Sequence, residues 1–314
     1  MAYTNTDTNM TTSGGLSAGM QTYYNRELLR TFEPNLVHLQ FGDEHRMPPH
    51  SGLVMNMRKL IPLETNTKAL SEGDPGESVM LAETEVTVQL QQYGEYARCT
   101  DKLDLTHLDM DIMRRTKLFG DAGARSIDAV VREELAKCAN VIYANGKTSR
   151  ASLTAADKLT SKELRKAVKV LKKNHAQTFG GYYVAIVGPD TMYDLQEDEA
   201  FVKVSQYQDK ENIYTGEVGR LFGVRLVETT EAKIFEGEGA SGADVASVIL
   251  LGQYAYGVTS LKGAKPRVIV KPAGSAGTAD PLDQISTVGW KMDGFGAKLL
   301  QPEYAVRIEC GFSA

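Results

Sequence analysis

Residues 53–59 read LVMNMRK and residues 84–98 read TEVTVQLQQYGEYAR, and this pair of segments decides the fold. Both predict β-strands, and the second alternates apolar and polar residues, so one of its faces needs cover. Between them lie roughly two dozen residues with a turn signal at Asp74-Pro75-Gly76. Hairpin loops usually have 2–5 residues, so the pattern predicts a long hairpin whose tip projects from the body.

The segment before this hairpin also lacks a core of its own. Residues 22–40 (TYYNRELLRTFEPNLVHLQ) predict a short helix that ends near Phe32, because the residue before Pro34 disfavours helical geometry. No local partner is visible for its apolar residues or those just after it, so we expect them to lie on neighbouring copies of the chain. They are Tyr23, Leu28, Leu29, Phe32, Leu36, Val37, Leu39 and Phe41.

Residues 109–143 carry the strongest helical signal, since apolar residues from Ile112 to Ile142 recur at three- and four-residue steps. Asp109 and Asp111 suit the start of this helix, where its dipole favours negative charge. A helix of about 30 residues would be ~45 Å long and would form a spine across the molecule.

The rest of the chain predicts a second helix and a series of strands. The helix covers Ser161–His175, with Ser161 as its N-cap, and a short helix follows Pro189-Asp190. Helices and strands are partly segregated and no βαβ unit repeats, which favours an α+β fold over a doubly wound sheet. The predicted strands are 182–188, 223–229, 246–252, 254–261, 266–271, 286–300 and 305–312.

Composition excludes several classes of protein. The 314 residues carry a net charge of -5, whereas proteins that live by phosphate contacts usually carry a basic excess. The basic residues of the second helix favour a solvated face over a nucleic-acid patch. Three widely spaced cysteines favour buried thiols in a reducing cytosol. We expect no export signal and no membrane partner.

Several motifs lack the context that their chemistry needs. Residues 237–242 match GxGxxG, but a strand-like run follows where a dinucleotide site needs a helix, which favours a glycine loop between strands. The GxSxG of residues 15–19 has no strand leading into it. His38, His45 and His50 match no metal-ligand spacing and favour ordinary polar loop histidines.

The acidic run Asp194, Glu197, Asp198 and Glu199 favours a solvated surface over paired catalytic carboxylates. With the motifs above also declined, the sequence assigns no catalytic, cofactor-binding or metal-ligating residue, and we expect no enzyme activity.

The order of these parts resembles the major capsid proteins of tailed bacteriophages with the HK97-type fold. Residues 24–42 resemble the N-terminal arm of that family, and the strand pair around Arg58-Lys59 and residues 91–96 is placed like its extended loop. The helix 109–143 is placed like its spine helix. Residues 214–225 and 280–291 are similar to stretches of its axial and peripheral domains.

The resemblance implies a structural protein that self-assembles into hexamers and pentamers of an icosahedral shell around double-stranded DNA. The only residue roles that it implies are contacts between subunits. The implied domains are an N-terminal arm (1–45), an extended loop (46–100), a peripheral domain with the spine helix (101–155), an axial domain (156–255) and a return to the peripheral domain (256–314). The expected inter-subunit contacts are Tyr24, Arg26, Phe32, Phe41, Arg58, Lys59, Glu72, Asp74 and Glu77.

The implied partners are further copies of the chain, a separate scaffolding protein, a portal and a decoration protein, with packaged DNA contacted non-specifically. The protein would be made in the host cytoplasm and end in the virion capsid. Two alternatives stay open: a cellular nanocompartment shell with the same fold, and a soluble α+β enzyme or ligand-binding protein.

Overall fold

A computed structural model describes residues 23, 25–29, 36–48, 50–60, 67, 69, 83–102, 112–198, 220–261, 265–275 and 280–313. Within this part the helices are α1 (Ile112–Leu135), α2 (Ser161–Lys173) and α3 (Pro189–Gln196), besides a helical turn at 25–29. The strands, in chain order, are β1 (Asp43–Met47), β2 (Val54–Leu60), β3 (Glu83–Gln89), β4 (Gln91–Thr100), β5 (Val141–Tyr143), β6 (Tyr183–Val187), β7 (Arg220–Leu221), β8 (Val224–Glu228), β9 (Ile234–Phe235), β10 (Val245–Leu251), β11 (Tyr256–Leu261), β12 (Arg267–Lys271), β13 (Ile285–Leu299) and β14 (Ala305–Cys310).

A seven-stranded sheet lies between two helical layers. Its order is β5-β14-β10-β6-β8-β7, with β9 also on β10. Strands β6, β10 and β14 are buried along their whole length, which explains the apolar run of β6 and the nearly apolar one of β10. Alternate residues face opposite layers: Ala185 and Leu250 join the core with α2 and α3, whereas Ile186 and Ile249 join the core with α1.

A five-stranded sheet packs against α1. Its order is β1-β11-β13-β12, and the 15-residue β13 is its longest strand. Strands β11 and β12 pair with successive parts of one edge of β13, and β4 pairs with the opposite edge. The register between β13 and β4 shifts between Met292 and Phe295, where Gly294 has a φ of 73°. Trp290 and Phe295 of β13 are buried in the core that α1 shares.

Strands β2 and β3 form a separate antiparallel hairpin. Seven residue pairs join them, from Val54 with Gln89 to Leu60 with Glu83. Only Leu90 separates β3 from β4, so the hairpin continues directly into the five-stranded sheet. The α+β fold class and the strand pairing of the hairpin are therefore as the sequence predicts, whereas nearly all of its predicted tip lies outside the described residues.

Some predicted boundaries are wrong. The long helix ends at Leu135 and has 24 residues, or about 36 Å. Ile142 instead lies on β5, which pairs with β14, so sheet pairing overrides its helical spacing. The N-cap of α2 is Thr160, whose hydroxyl donates to Glu163, and not Ser161.

Candidate inter-subunit surfaces

The hairpin is fastened to the body along one of its faces. Met57 and Val88 are buried against Leu300, which follows β13. The Lys59 ammonium lies 2.8 Å from a carboxylate oxygen of Glu303, and its hydrogen bond lowers the pKa of Glu303. Lys59, an expected inter-subunit residue, therefore has a partner within its own chain.

The same hairpin also presents exposed side chains. The Arg58 side chain is 71% exposed, and its guanidinium lies 3.6 Å from a carboxylate oxygen of Glu83. Exposed ion pairs of this kind contribute little to folding, so Arg58 can contact another molecule at low cost. Leu53 and Val54 are also exposed at the start of the hairpin.

The described part of the N-terminal segment packs on its own chain, contrary to expectation. Leu28 is completely buried and Leu36 nearly so, both in the core that contains α1 and β13. The side-chain oxygen of Asn25 accepts a hydrogen bond from the backbone N–H of Val268, 2.9 Å away. Because an edge strand leaves such groups open, Asn25 covers part of the β12 edge.

Two expected contact residues of this segment differ in exposure. Arg26 is exposed, as a contact residue must be. Phe41 is half-buried, and its ring meets Phe179 edge-on with centroids 5.9 Å apart. The other expected contacts, Tyr24, Phe32, Glu72, Asp74 and Glu77, lie outside the described residues.

His38 is a buried clamp and not a polar loop residue. Its backbone N–H and its ring Nδ1 lie 2.7 Å and 2.5 Å from the two oxygens of Asp128 on α1. Its carbonyl accepts a hydrogen bond from the hydroxyl of buried Tyr256 on β11. Burial, reinforced by the nearby Asp128, raises the pKa of that Tyr256 hydroxyl. The network joins the N-terminal segment to a helix and a sheet.

Sequence reasoning missed this clamp because its members are 90 and more residues apart. A single histidine followed by a polar loop gives no sign of a distant carboxylate. His45 lies 3.0 Å from Asp43, and among the described residues no group of three His, Cys, Asp or Glu side chains could hold a metal ion.

The acidic run near α3 is also partly buried, so its interpretation as a solvated surface is wrong for two members. Asp194 is buried, lies 2.8 Å from the Lys158 ammonium, and accepts a 2.9 Å bond from the backbone N–H of Ser313. Asp198 accepts a bond from the backbone N–H of Ser161 at the start of α2. These carboxylates fasten the C-terminal strand and cap a helix.

A groove of about 660 Å³ crosses the face of the five-stranded sheet between β4, β12 and β13. Trp290 lines it and is nearly buried, whereas Tyr96 is 61% exposed. The Arg98 guanidinium lies 5.7 Å from the centre of the Tyr96 ring. The sequence did not predict this aromatic and basic surface.

The GxGxxG motif lies in a loop between two strands, as the sequence around it indicated. Residues 237–242 connect β9 to β10, and the backbone N–H of Gly237 donates to Asp244. The three cysteines are free and buried, as expected for structural thiols, and burial raises the pKa values of Cys138 and Cys310. In the described part, no helix is long and apolar enough to cross a membrane.

A family model described as phage capsid protein matches residues 83–308, from the start of β3 to within β14. The chain belongs to the phage capsid protein family. This capsid protein therefore has a structural role as the major capsid protein of a phage virion, as the resemblance of its segments implied. The match favours a phage shell over a nanocompartment and over a soluble enzyme.

Solved capsids show the same HK97-type fold. The chain is similar to the capsid of Ralstonia phage GP4 with a TM-score of 0.70 and 15% identity over 90% of this chain and 91% of that one. The capsid of cyanophage P-SCSP1u gives 0.66 and 15% over 88% and 89%. That of cyanophage Pam1 gives 0.64 and 15% over 90% and 92%. No curated protein matches in sequence.

Proposed function

We propose that this capsid protein self-assembles into hexamers and pentamers of a closed icosahedral shell around double-stranded DNA, with the hairpin as its main contact between copies. The observation that carries this is the hairpin's one-sided anchoring. Met57 and Val88 hold one face of the hairpin against the body, while Arg58 and Glu83 are exposed. Residues 61–82 connect the two strands beyond this point.

Such an arrangement supports head-to-tail contacts. The hairpin end lies at one end of a β3–β4 ribbon, and the groove beside Tyr96 lies towards the other. Surfaces at opposite ends of a molecule make heterologous contacts, which close into rings when the rotation permits. Rings of five and six are the units from which a closed shell can be built.

The domain map stays part of this proposal: arm 1–45, extended loop 46–100, peripheral domain 101–155, axial domain 156–255 and peripheral return 256–314. The axial segment supplies β6, β8 and β10 of the seven-stranded sheet. That sheet also contains β5 and β14 from the peripheral segments, so the two domains share a core.

The proposed contact residues are supported to different degrees. Exposure supports Arg26 and Arg58, whereas the ion pair with Glu303 makes Lys59 the weakest member of the set. Tyr24, Phe32, Phe41, Glu72, Asp74 and Glu77 complete it. A separate scaffolding protein, a portal and a decoration protein are proposed partners, with synthesis in the host cytoplasm.

Replacing residues 62–82 by an Asn-Gly turn tests the proposal. The shortened chain should fold, because Met57, Val88 and Leu300 stay in place, but it should form no closed particles by size exclusion and electron microscopy. A matched control carries residues 62–82 in scrambled order, which preserves length and charge. Closed particles from the shortened chain would refute the role of the hairpin, and its global unfolding would show that the segment belongs to the core.

A further inference from the structure

The exposed face of α2 carries an uninterrupted stripe of positive charge. The helix reads SKELRKAVKVLKK, with six basic residues among its 13. At 3.6 residues per turn, these six fall within an arc of about 120°. They are Lys162, Arg165, Lys166, Lys169, Lys172 and Lys173.

The opposite face fixes this orientation. Leu164, Ala167 and Leu171 are completely buried against the seven-stranded sheet, so the helix cannot rotate to hide its charges. The only acidic residue of the helix, Glu163, is 3% exposed and lies 3.5 Å from the Lys166 ammonium. Its negative charge is therefore turned towards the interior.

Most of the stripe has no counter-charge from the residues that the structure describes. Among the described residues, no carboxylate lies within 4 Å of the ammonium groups of Lys162, Lys169, Lys172 or Lys173. Four unpaired cations on one helical face repel one another, and an anionic partner removes this repulsion.

The geometry points to the phosphate backbone of nucleic acid as that partner, and we propose that α2 is the nucleic-acid contact of this capsid protein. The stripe is about 16 Å long, and one DNA strand carries a phosphate every 3.4 Å, so about five phosphates match its six cations. The face consists of five lysines and Arg165, whose long flexible side chains suit contacts to phosphate oxygens, and phosphate contacts carry no sequence information.

The alternative occupant is an acidic segment of another copy, such as residues 61–82. That segment carries four acidic residues and Lys68 over its whole length, a much lower charge density than that of a phosphate backbone. With an overall charge of -5 the chain as a whole does not attract nucleic acid, so binding through this helix should be strongly salt-dependent.

The test measures binding of the full-length, unassembled chain to a fluorescent 20-base-pair duplex by anisotropy at a series of salt concentrations. For five phosphate contacts, the slope of log K against log salt should be about -4 to -5. K169E/K172E should reduce its magnitude by about 2 and weaken binding at least tenfold at low salt. K169Q/K172Q should act in the same direction and serves if the glutamate variant fails to fold.

A matched control separates this face from general charge. K117E/K265E makes the same change in net charge at exposed lysines of α1 and the segment before β12, and it should leave the slope unchanged. Equal losses in both double variants, or an unchanged slope in K169E/K172E, would overturn the proposal. So would a synthetic peptide of residues 61–82 that binds this face more tightly than the duplex does.

This inference rests on the proposed function, because a phage shell encloses DNA and DNA is the anion that α2 would contact. Duplex binding by unassembled chains is measured whether or not particles form, so its failure is distinguishable from a failure of the hairpin experiment.

Discussion

Removing the Asp128 carboxylate should destabilise the protein more than any surface change. Asp128 is completely buried and His38 is 1% exposed, and two short hydrogen bonds join them. Taking away one partner of a buried pair costs about 3–5 kcal/mol, because the other is left unsatisfied. We therefore expect Asp128→Ala to lower the free energy of unfolding by about 3–5 kcal/mol.

Two further variants test the cause of this loss. Asp128→Asn keeps the size and one acceptor oxygen, so it should lose about half as much free energy. The double variant H38L/D128L removes both side chains, although the backbone N–H of residue 38 still loses its acceptor. Its loss should be smaller than the sum of the losses of H38L and D128L measured separately, since neither side chain is left without its partner.

Urea unfolding of the unassembled chain, followed by the fluorescence of Trp290, measures these effects. Trp290 is the only tryptophan and lies in the same core, so it reports directly on loosening there. A loss below 1 kcal/mol for Asp128→Ala, or additive losses in the double variant, would refute the clamp.

Two further predictions follow from other contacts. Burial raises the pKa of Asp194, but the bonds from Lys158 and Ser313 outweigh it and leave the pKa lowered. The stabilisation from Asp194 is therefore present above the unfolded pKa of about 3.9 and is lost as pH falls through the lower folded value. Proteolysis of the C-terminus should accelerate only below about pH 4, and an unchanged rate would contradict the contact between Asp194 and Ser313. Gly289→Ala should lower the free energy of unfolding by at least about 2 kcal/mol, because the alanine Cβ would lie 2.5 Å from the backbone oxygen of Glu95 and force β13 away from β4. A melting temperature equal to that of the wild type would show that the two strands separate freely.

Local pattern was enough to predict most elements of this fold. The alternation in 84–98 reflects cover on one face, and the apolar run of 182–188 reflects cover on both faces. Ile142 shows the limit: its spacing continues the helix, but pairing with Ile308 places it in a sheet. The sequence contains no local sign of that pairing, because the partner lies at the other end of the chain.

The surfaces were harder to predict than the elements. Leu28 and Leu36 were expected to lie on other copies, but a core formed by α1 and β13 covers them. His38 and Asp194 were taken as solvated because burial of a polar residue depends on a distant partner, Asp128 in one case and Ser313 in the other. The charged face of α2 was visible in the sequence, since helical spacing alone sets it.

The joint at Leu90 has a mechanical consequence. Leu90 is buried, and its backbone N–H donates to the carbonyl of Leu53 at 2.8 Å, so the passage from β3 to β4 is held on both sides. A force applied to the hairpin by a neighbouring copy, as the proposed contact implies, would therefore pass into β13 and would not be absorbed by a flexible linker. Because β13 borders β4, β12 and β11, this load would be distributed across the five-stranded sheet.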